Sequence, residues 1–422
     1  MSEFKFIHAA DVHIDSPLKG LEAYEGAPVE RIRSATREAF ENLITLAIEE
    51  SVAFVLIAGD LFDGKWPDMS TGLWTVRQFR RLKREGIDVY LIRGNHDAAN
   101  EVGQRIRWPE NVHELSCSAP ETVTRQEQSV AIHGQGFANR EVAEDLAATY
   151  PEALGGHFNI GMLHTSLTGD PQHDPYAPTS EDTLKLKGYD YWALGHIHLR
   201  KTVQEEPFIG YSGNVQGRHI HERGPKGCLL VSVADNHVGA VEFRATDVLR
   251  WELVEIELTA TDTLHELYDT VQAEFRQLSQ NADGRFSAVR IVVSGATAAH
   301  SKLITKSGHE EAVAQIRSLA GETDDIWVEK IQFKTTAAVD VEQLKRGHDL
   351  MGDLLRGIDD LIDGDDNRLQ EFASALAPLA NKATLELQHA DVSLDDPDRI
   401  REWLTEAEGM LVSMLLDDQS ET

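Results

Sequence analysis

Aspartate, asparagine and histidine residues recur in this sequence directly after short apolar runs. In chain order they are Asp11 and His13, then Asp60, then Asn95, His96 and Asp97, then His164, and finally His196 and His198. Carboxylate, imidazole and amide groups are suitable ligands for manganese, iron, zinc or magnesium. The pattern therefore predicts a metal site assembled from several separate segments.

The number of donors favours two ions over one. A catalytic site with one ion uses about three protein ligands and keeps a coordination position open. Seven candidate ligands are present here, namely Asp11, His13, Asp60, Asn95, His164, His196 and His198. Two ions about 3.5 to 4 Å apart, sharing a bridging carboxylate, can hold a phosphate ester and activate water. We therefore expect two divalent ions and phosphoester hydrolysis.

Two of the segments carry a pair of donors separated by one residue. Residues i and i+2 of a strand point to the same face, so Asp11 with His13, and His196 with His198, are expected to direct ligand atoms the same way. Such a pair alone is more often incidental, and Gly-Asp or Gly-Asn-His-Asp is often a turn. The ordered set, each member behind an apolar run, favours the metal site.

Strands and helices alternate over residues 1–245. The predicted strands are FKFIHAAD, VAFVLIAGD, DVYLIRGN, FNIGMLH, YDYWALGH and GCLLVSV, and a helix is predicted from about Val29 to Glu50. Strands buried on both faces and joined by helices indicate a layered α/β domain. Ligands of such sheets bind beyond the carboxyl ends of the strands, so five strand endings can meet in one crevice.

The pattern changes near Thr246. Residues 246–336 read strand, helix (about Asp262 to Ser279), strand, helix (about Glu310 to Ala320), strand, which predicts a small separate α/β domain. Residues 337–422 form a predicted helical tail with breaks at Gly357, near Gly364 and at Pro378. An apolar helical face in this tail comprises Ile400, Trp403, Leu404, Ala407, Leu411, Met414 and Leu415.

The charge is acidic and unevenly distributed. The 422 residues carry a net charge of −31; residues 1–250 hold 36 acidic and 25 basic side chains, and residues 251–422 hold 35 and 15. This balance argues against general polyanion binding but leaves room for a local basic groove. No apolar run is long enough to cross a bilayer, and a strand begins at Phe4, so we expect a cytoplasmic protein without a membrane partner.

The ordered motifs DxH, GDxxD, GNHD, a lone histidine after an apolar strand, and GHxH resemble the calcineurin-like metallophosphoesterase superfamily. Its fold is a two-sheet α/β sandwich with a dinuclear centre. HAADVHIDSPL, GDLFD, GNHD and YWALGHIH are similar to the SbcD-type DNA break-repair exonucleases, including the shorter YhaO-like branch. The resemblance covers roughly residues 1–230; the α/β domain after it is similar to that family's capping domain.

The resemblance implies a role for each motif residue. Asp11, His13, Asp60 and His198 would hold one ion, and Asp60, Asn95, His164 and His196 the other, with Asp60 as the bridge. His96 would contact the scissile phosphate and protonate the leaving oxygen or stabilise its charge, and Asp97 would orient the His96 ring. Water activated by the ions would be the nucleophile, and manganese is the expected metal, with magnesium or iron as alternatives.

Several nearby residues have less defined roles. Some family members carry a histidine where this chain has Asp63, which we interpret as lying behind the ligands. His219 and His221 are interpreted as groove or packing residues, since seven donors already suffice. Arg218, Arg223 and Lys226 are candidate contacts to the substrate phosphate.

Three functions remain open. The first is a DNA exonuclease or endonuclease of double-strand-break repair, a homodimer working with an SbcC-like coiled-coil ABC-type ATPase, as the resemblance implies. The second is a phosphodiesterase or phosphatase for a small nucleotide or other ester, since the metal centre alone does not choose the substrate. The third is a weakly catalytic DNA-end-binding scaffold. The tail's apolar face would dock on the ATPase coiled coil or pack on its own domain.

Overall fold

The computed structural model describes residues 3–16, 27–63, 69–99, 106–167, 176–338, 344–382, 397, 399–405, 407–408 and 411. The chain divides into two compact units. The first contains residues 1–253, 279–289 and 325–329, and the second contains residues 254–278, 290–324 and 330–422. The three domains expected from the sequence stay a prediction.

The first unit is built from two sheets and the helices that join their strands. Its described strands are β1 (Glu3–Ala9), β2 (Phe54–Ala58), β3 (Asp88–Ile92), β4 (Val112–Glu114), β5 (Glu121–Arg125), β6 (Val130–Gly134), β7 (Phe158–His164), β8 (Tyr191–Gly195), β9 (Lys201–Gln204), β10 (Phe208–Tyr211), β11 (Gly227–Ala234) and β12 (His237–Ala245). Its described helices are α1 (Val29–Glu49), α2 (Ser70–Arg84), α3 (Asn95–Ala98) and α4 (Glu181–Leu186).

The strand order brings the ends of five strands together. Among the described residues the sheets each have six strands, in the orders β12-β11-β1-β2-β3-β4 and β5-β6-β7-β8-β10-β9. The strands β1 to β4 run parallel, as do β6, β7, β8 and β10. The antiparallel strands β11, β12, β5 and β9 lie toward the outside of each sheet. The carboxyl ends of β1, β2 and β3 therefore share one sheet edge, and those of β7 and β8 share another.

Aromatic side chains fill the space between the two sheets. The Phe6 ring stacks on Phe54 of the same sheet at 5.1 Å and meets the edge of Tyr191 of the other sheet at 5.1 Å. All three side chains are fully buried. Truncating a buried phenylalanine to alanine costs about 3–5 kcal/mol, so this cluster holds the sheets in register. The prediction of a two-sheet α/β sandwich is confirmed.

Helix α1 covers the outer face of the first sheet. Its buried residues Phe40 and Leu43 pack with Val55 and Ile57 of β2. The helix predicted from about Val29 to Glu50 is observed at Val29–Glu49, with Ala39, Leu43 and Ala47 of its apolar face buried and Leu46 partly buried.

A three-stranded sheet, in the order β13-β14-β15, follows the first twelve strands. Its strands are β13 (Leu249–Glu257), β14 (Phe286–Thr297) and β15 (Ile326–Ala337), and the helices between them are α5 (Leu264–Asn281), α6 (His300–Leu303) and α7 (Lys306–Ala320). The strand and helix alternation predicted for this region is confirmed. Helix α7 begins four residues before the predicted Glu310 because the Thr305 hydroxyl accepts the Gly308 N–H at 3.1 Å and caps it.

The described C-terminal residues are helical, as predicted, but two predicted breaks are wrong. The helices are α8 (Leu350–Ile362) and α9 (Asp366–Lys382), so the break near Gly364 is confirmed, whereas the chain stays helical through Gly357 and Pro378. A helical glycine costs only about 1 kcal/mol, which burial of the adjoining Leu355 and Ile358 offsets. A helical proline removes one backbone hydrogen bond and bends a helix without having to end it.

The apolar face of the last helical segment packs within its own unit. Ile400 and Leu404 are buried against Ile358 of α8 and Leu369 of α9. Of the residues predicted on that face, Met414 and Leu415 lie outside the described residues. Within the described ranges, no helix combines the length and apolarity needed to span a bilayer.

Candidate metal centre

The predicted ligands lie where five parallel strands end. Asp11 and His13 follow β1, Asp60 follows β2, Asn95 begins α3 behind β3, His164 is the last residue of β7, and His196 and His198 follow β8. The two sheets approach closely here because β8 ends in a glycine. A Cβ on Gly195 would lie 1.9 Å from the Ala58 carbonyl oxygen of β2.

The backbone of these loops is left-handed at several of the predicted ligands. Asp11, His13, Asp60 and His196 have φ angles of 50°, 49°, 52° and 94°. Such angles cost about 1–3 kcal/mol each, and aspartate and histidine tolerate them better than most residues. The expectation that strand alternation aligns the DxH and HxH pairs is therefore wrong. Hydrogen bonds between loops hold Asp11 and His13 in place instead. Asp11 N–H donates to Gly59 O at 3.1 Å, and His13 N–H donates to Asp60 O at 3.0 Å.

One group of donors forms around the end of β1. Nε2 of His13 lies 3.2 Å from Nε2 of His198, and the latter is 3.9 Å from Oδ1 of Asp11. Donor atoms of these three residues lie within 4.8 Å of one another. Asp11 and His13 are fully buried, so the group is enclosed on the protein side.

A second group forms around the end of β7. Nε2 of His164 lies 3.0 Å from Oδ1 of Asn95 and 3.5 Å from Oδ2 of Asp60. The His196 ring lies 5.2 Å from the His164 ring, and His196 N–H donates to Asp11. Asp60 also lies 3.9 Å from Nε2 of His13, so its carboxylate lies between the two groups. The structure thus brings all seven predicted ligand residues together.

The donors fit divalent cations chemically. Nδ1 of His164 lies 3.0 Å from the Ala58 carbonyl, to which it donates, so Nε2 faces the carboxylates. The buried Nδ1 of His13 makes no hydrogen bond with any residue the structure describes. Burial would lower the pKa of His164, but the Asp60 carboxylate raises it to about 9. The carboxylates therefore favour a positive charge near Nε2 of His164, which a divalent cation would supply.

The other charges of the site agree with this interpretation. Burial raises the pKa of Asp11, while the nearby His198 and His164 oppose that shift. Burial would also raise the pKa of Asp60, but the charge and hydrogen bond of His164 bring it below its usual range. Burial and the Arg218 charge hold the pKa of His13 well below its ordinary value. A neutral imidazole is the form that binds a metal ion.

His96 is held by Asp63. Nδ1 of His96 lies 2.7 Å from Oδ1 of Asp63, and this hydrogen bond raises the pKa of His96. The prediction that Asp97 orients the ring is corrected by this contact. Asp97 is buried and accepts the backbone N–H groups of Leu61, Phe62 and Gly94 instead, at 2.9–3.2 Å. Burial, with the nearby Asp60 charge, raises the pKa of Asp97 to about 7.

The candidate phosphate contacts differ in exposure. Arg223 is exposed, Arg218 is largely buried between acidic groups, and the buried Lys226 donates from Nζ to the His198 carbonyl at 3.1 Å. Their predicted contacts to substrate stay a prediction. His219 and His221 are exposed, and neither belongs to a ligand group among the described residues.

Glu222 is a site residue that the sequence interpretation missed. Its carboxylate lies 2.6 Å from Nδ1 of His198, which therefore turns Nε2 toward Asp11 and His13. A metal-binding histidine ordinarily donates its second ring N–H to such an acceptor, so a carboxylate or carbonyl partner could have been expected. The sequence contained no indication of which residue it would be.

Comparisons with known proteins agree with the motifs. Residues 4–200 match the profile of the calcineurin-like phosphoesterases, and residues 251–336 match that of the middle domain of metallophosphoesterase YhaO. The chain is 39% identical over 299 residues to an uncharacterized metallophosphoesterase YhaO of Bacillus subtilis strain 168, covering 70% of this chain and 72% of that protein.

More distant similarity links the chain to proteins named for DNA repair. A DNA double-strand break repair protein Mre11 of Methanopyrus kandleri is 24% identical over 349 residues, which cover 76% of this chain and 72% of that protein. The Mre11 protein of Sulfurisphaera tokodaii is 27% identical, covering 48% of this chain and 51% of its own length.

Proposed function

The chain belongs to the calcineurin-like metallophosphoesterases, and we propose that within them it is a DNA nuclease with two divalent ions. Phosphoester hydrolysis that depends on a divalent metal follows from the family. The DNA substrate, the number and identity of the ions, and the residues that hold them are the proposed part.

The proposed ligands divide into two sets that share one carboxylate. Asp11, His13, Asp60 and His198 would hold one ion, and Asp60, Asn95, His164 and His196 would hold the other, with Mn²⁺ as the proposed metal. The observation that carries this assignment is the place of Asp60, whose Oδ2 lies 3.5 Å from Nε2 of His164 and 3.9 Å from Nε2 of His13. When bound, such ions polarise the phosphate and make water a better nucleophile.

His96 is the proposed proton donor to the leaving oxygen. Because Asp63 accepts the Nδ1 proton, Nε2 is the nitrogen available to substrate. The His96 backbone N–H donates to Oδ1 of Asp60 at 2.9 Å, which ties the position of His96 to the proposed bridging carboxylate. The exposed Arg223 is a proposed phosphate contact at the rim.

DNA is the proposed substrate because similarity to the Mre11 proteins extends beyond the phosphoesterase core. The Methanopyrus kandleri match covers 76% of this chain, whereas the core profile ends at residue 200. An SbcC-like coiled-coil ABC-type ATPase is the proposed partner, and the acidic C-terminal helices are its proposed docking region. A homodimer is proposed on the same resemblance.

The test uses purified protein and Mn²⁺ with three substrates: labelled duplex DNA, hairpin DNA and bis-para-nitrophenyl phosphate. We expect cleavage of DNA and of the small ester. Cleavage of the small ester alone would contradict the nuclease proposal and favour a small-substrate phosphodiesterase. Binding of DNA ends without any turnover would favour a scaffold.

A further inference from the structure

The Glu222 carboxylate is surrounded by hydrogen-bond donors although it is almost completely buried. Oε1 accepts hydrogen bonds from Nδ1 of His198 at 2.6 Å and from Nη2 of Arg218 at 3.0 Å. Oε2 accepts hydrogen bonds from the Arg218 backbone N–H at 2.8 Å and from Nδ2 of Asn214 at 2.9 Å. The side chain is 5% exposed. A buried carboxylate costs several kcal/mol unless it is fully bonded, so this one is kept in a single orientation.

His198 is fixed by this arrangement at both its ring and its backbone. Glu222 accepts a hydrogen bond from Nδ1 of His198. Nζ of Lys226 and the Asn214 N–H donate to the His198 carbonyl at 3.1 and 3.3 Å. These hydrogen bonds fix the tautomer and the ring orientation of His198. Nε2 is left facing Asp11 and His13, at 3.9 Å and 3.2 Å.

Arg218 connects this carboxylate to the one behind His96. Its Nη1 donates to Oδ2 of Asp63 at 3.1 Å while its Nη2 donates to Glu222. Oδ1 of Asp63 in turn receives Nδ1 of His96 at 2.7 Å. The Arg218 side chain is only 13% exposed. A planar guanidinium can serve two carboxylates at a fixed angle, which a lysine cannot do.

We propose that Glu222 and Arg218 are positioning residues: Glu222 presents His198 to a metal ion, and Arg218 couples that contact to the Asp63–His96 pair. This inference rests on the proposed ligand role of His198 and the proposed phosphate contact of His96. The buried Arg218 then helps to orient both the proposed metal ligand His198 and the proposed proton donor His96. This positioning role differs from the predicted contact of Arg218 to substrate phosphate, because each of its terminal nitrogens donates to a carboxylate.

The test measures Mn²⁺ binding without substrate, by electron paramagnetic resonance of the free ion, for Glu222→Gln and Arg218→Lys. Loss of a carboxylate behind a ligand weakens metal binding by about 10- to 100-fold. We expect that loss for one of the two Mn²⁺ ions in Glu222→Gln. Glu50→Gln is the matched control, because Glu50 binds Lys5 and Arg244 instead, and it should bind both ions as wild type does.

Kinetics on bis-para-nitrophenyl phosphate separate positioning from substrate contact. Arg218→Lys should weaken Mn²⁺ binding and lower kcat by at least about 10-fold with little change in KM. A raised KM with wild-type Mn²⁺ affinity would identify a phosphate contact and overturn the role of Arg218. Wild-type Mn²⁺ affinity in folded Glu222→Gln would overturn the role of Glu222.

Two controls keep these outcomes distinct from other failures. If circular dichroism shows Glu222→Gln to be unfolded, Arg218→Lys decides the inference by the same two measurements. If the wild-type protein itself binds no Mn²⁺, the proposed function fails, and the inference fails with it.

Discussion

Oδ1 of Asp63 lies 2.7 Å from Nδ1 of His96, although 33 residues separate the two in sequence. The two loops that follow β2 and β3 are brought together by the parallel pairing of those strands. A carboxylate at this distance fixes the tautomer and orientation of the imidazole. His96 is thereby oriented by a residue on a neighbouring loop and not by Asp97 beside it.

Replacing His96 by alanine should remove turnover without removing metal. A positioned acid contributes about 10²- to 10⁴-fold to rate, and we expect a loss in that range on bis-para-nitrophenyl phosphate. Metal analysis by mass spectrometry should find the same ion content as in wild type. Loss of the bound metal in this variant would show that His96 is a ligand and not a proton donor.

Replacing Gly195 by alanine should displace the strand ends that carry the proposed site. The added Cβ would lie 1.9 Å from the Ala58 carbonyl oxygen, so β2 and β8 must separate. We expect about 1–3 kcal/mol of destabilisation in urea unfolding and about 100-fold lower activity, since small displacements of a site are costly. Gly155→Ala is the control, because nothing lies within 4 Å of its added Cβ. Equal stability of the two variants would contradict the observed approach of the sheets.

The buried His8 should make stability depend on pH. Its Nε2 lies 3.1 Å from the Leu194 carbonyl and its Nδ1 lies 3.0 Å from the Tyr191 hydroxyl, and burial lowers the pKa of His8 from 6.5 to about 4. The unfolded chain therefore takes up this proton first as the pH falls. The contribution of neutral His8 to the free energy of unfolding is fully present above pH 6.5. It is lost between pH 6.5 and about 4, and the total loss is about 3 kcal/mol.

This contribution can be isolated by comparing wild type with His8→Gln. Urea unfolding of both proteins from pH 7.5 to pH 4.5 should show a wild-type stability that falls more steeply than that of the variant below pH 6.5. Parallel curves would mean that His8 is not the group responsible.

The exposed leucines of α8 should be needed for the proposed ATPase partner. Leu350 and Leu354 are 84% and 39% exposed, while Leu355 and Ile358 on the same helix are buried. Changing both exposed leucines to serine should weaken co-purification with the ATPase while leaving ester hydrolysis unchanged. Leu186→Ser, at a leucine of the first unit that is 80% exposed, is the control. Undiminished co-purification of the double variant would exclude this docking surface.

The sequence predicted which side chains gather at the strand ends because their signal is local. Each stands at the end of an apolar run, and runs such as FNIGMLH became strands with the expected last residue, His164. Short strands at the sheet margins were missed. KTVQ of β9 and ETVTR of β5 are largely exposed, so neither carries an apolar run. The strand VAIHG of β6 is fully buried, but it has five residues and no flanking feature that marks it.

The contacts that orient His198 and His96 could not be predicted, for a physical reason. Glu222 lies 24 residues from His198 in sequence, and Asp63 lies 33 residues from His96, so their contacts depend on side-chain packing between separate segments. The left-handed angles of Asp11 and His13 also follow from hydrogen bonds to the loop after β2. Residue type and spacing do not encode such partners.

The central claim is that Asp60 joins two cations held by seven side chains. The most direct test is anomalous X-ray diffraction from crystals of the protein grown with Mn²⁺. We expect two anomalous peaks about 3.5 to 4 Å apart, with the Asp60 carboxylate between them and His13 and His164 on opposite ions. A single peak, or peaks that Asp60 does not contact, would contradict the account.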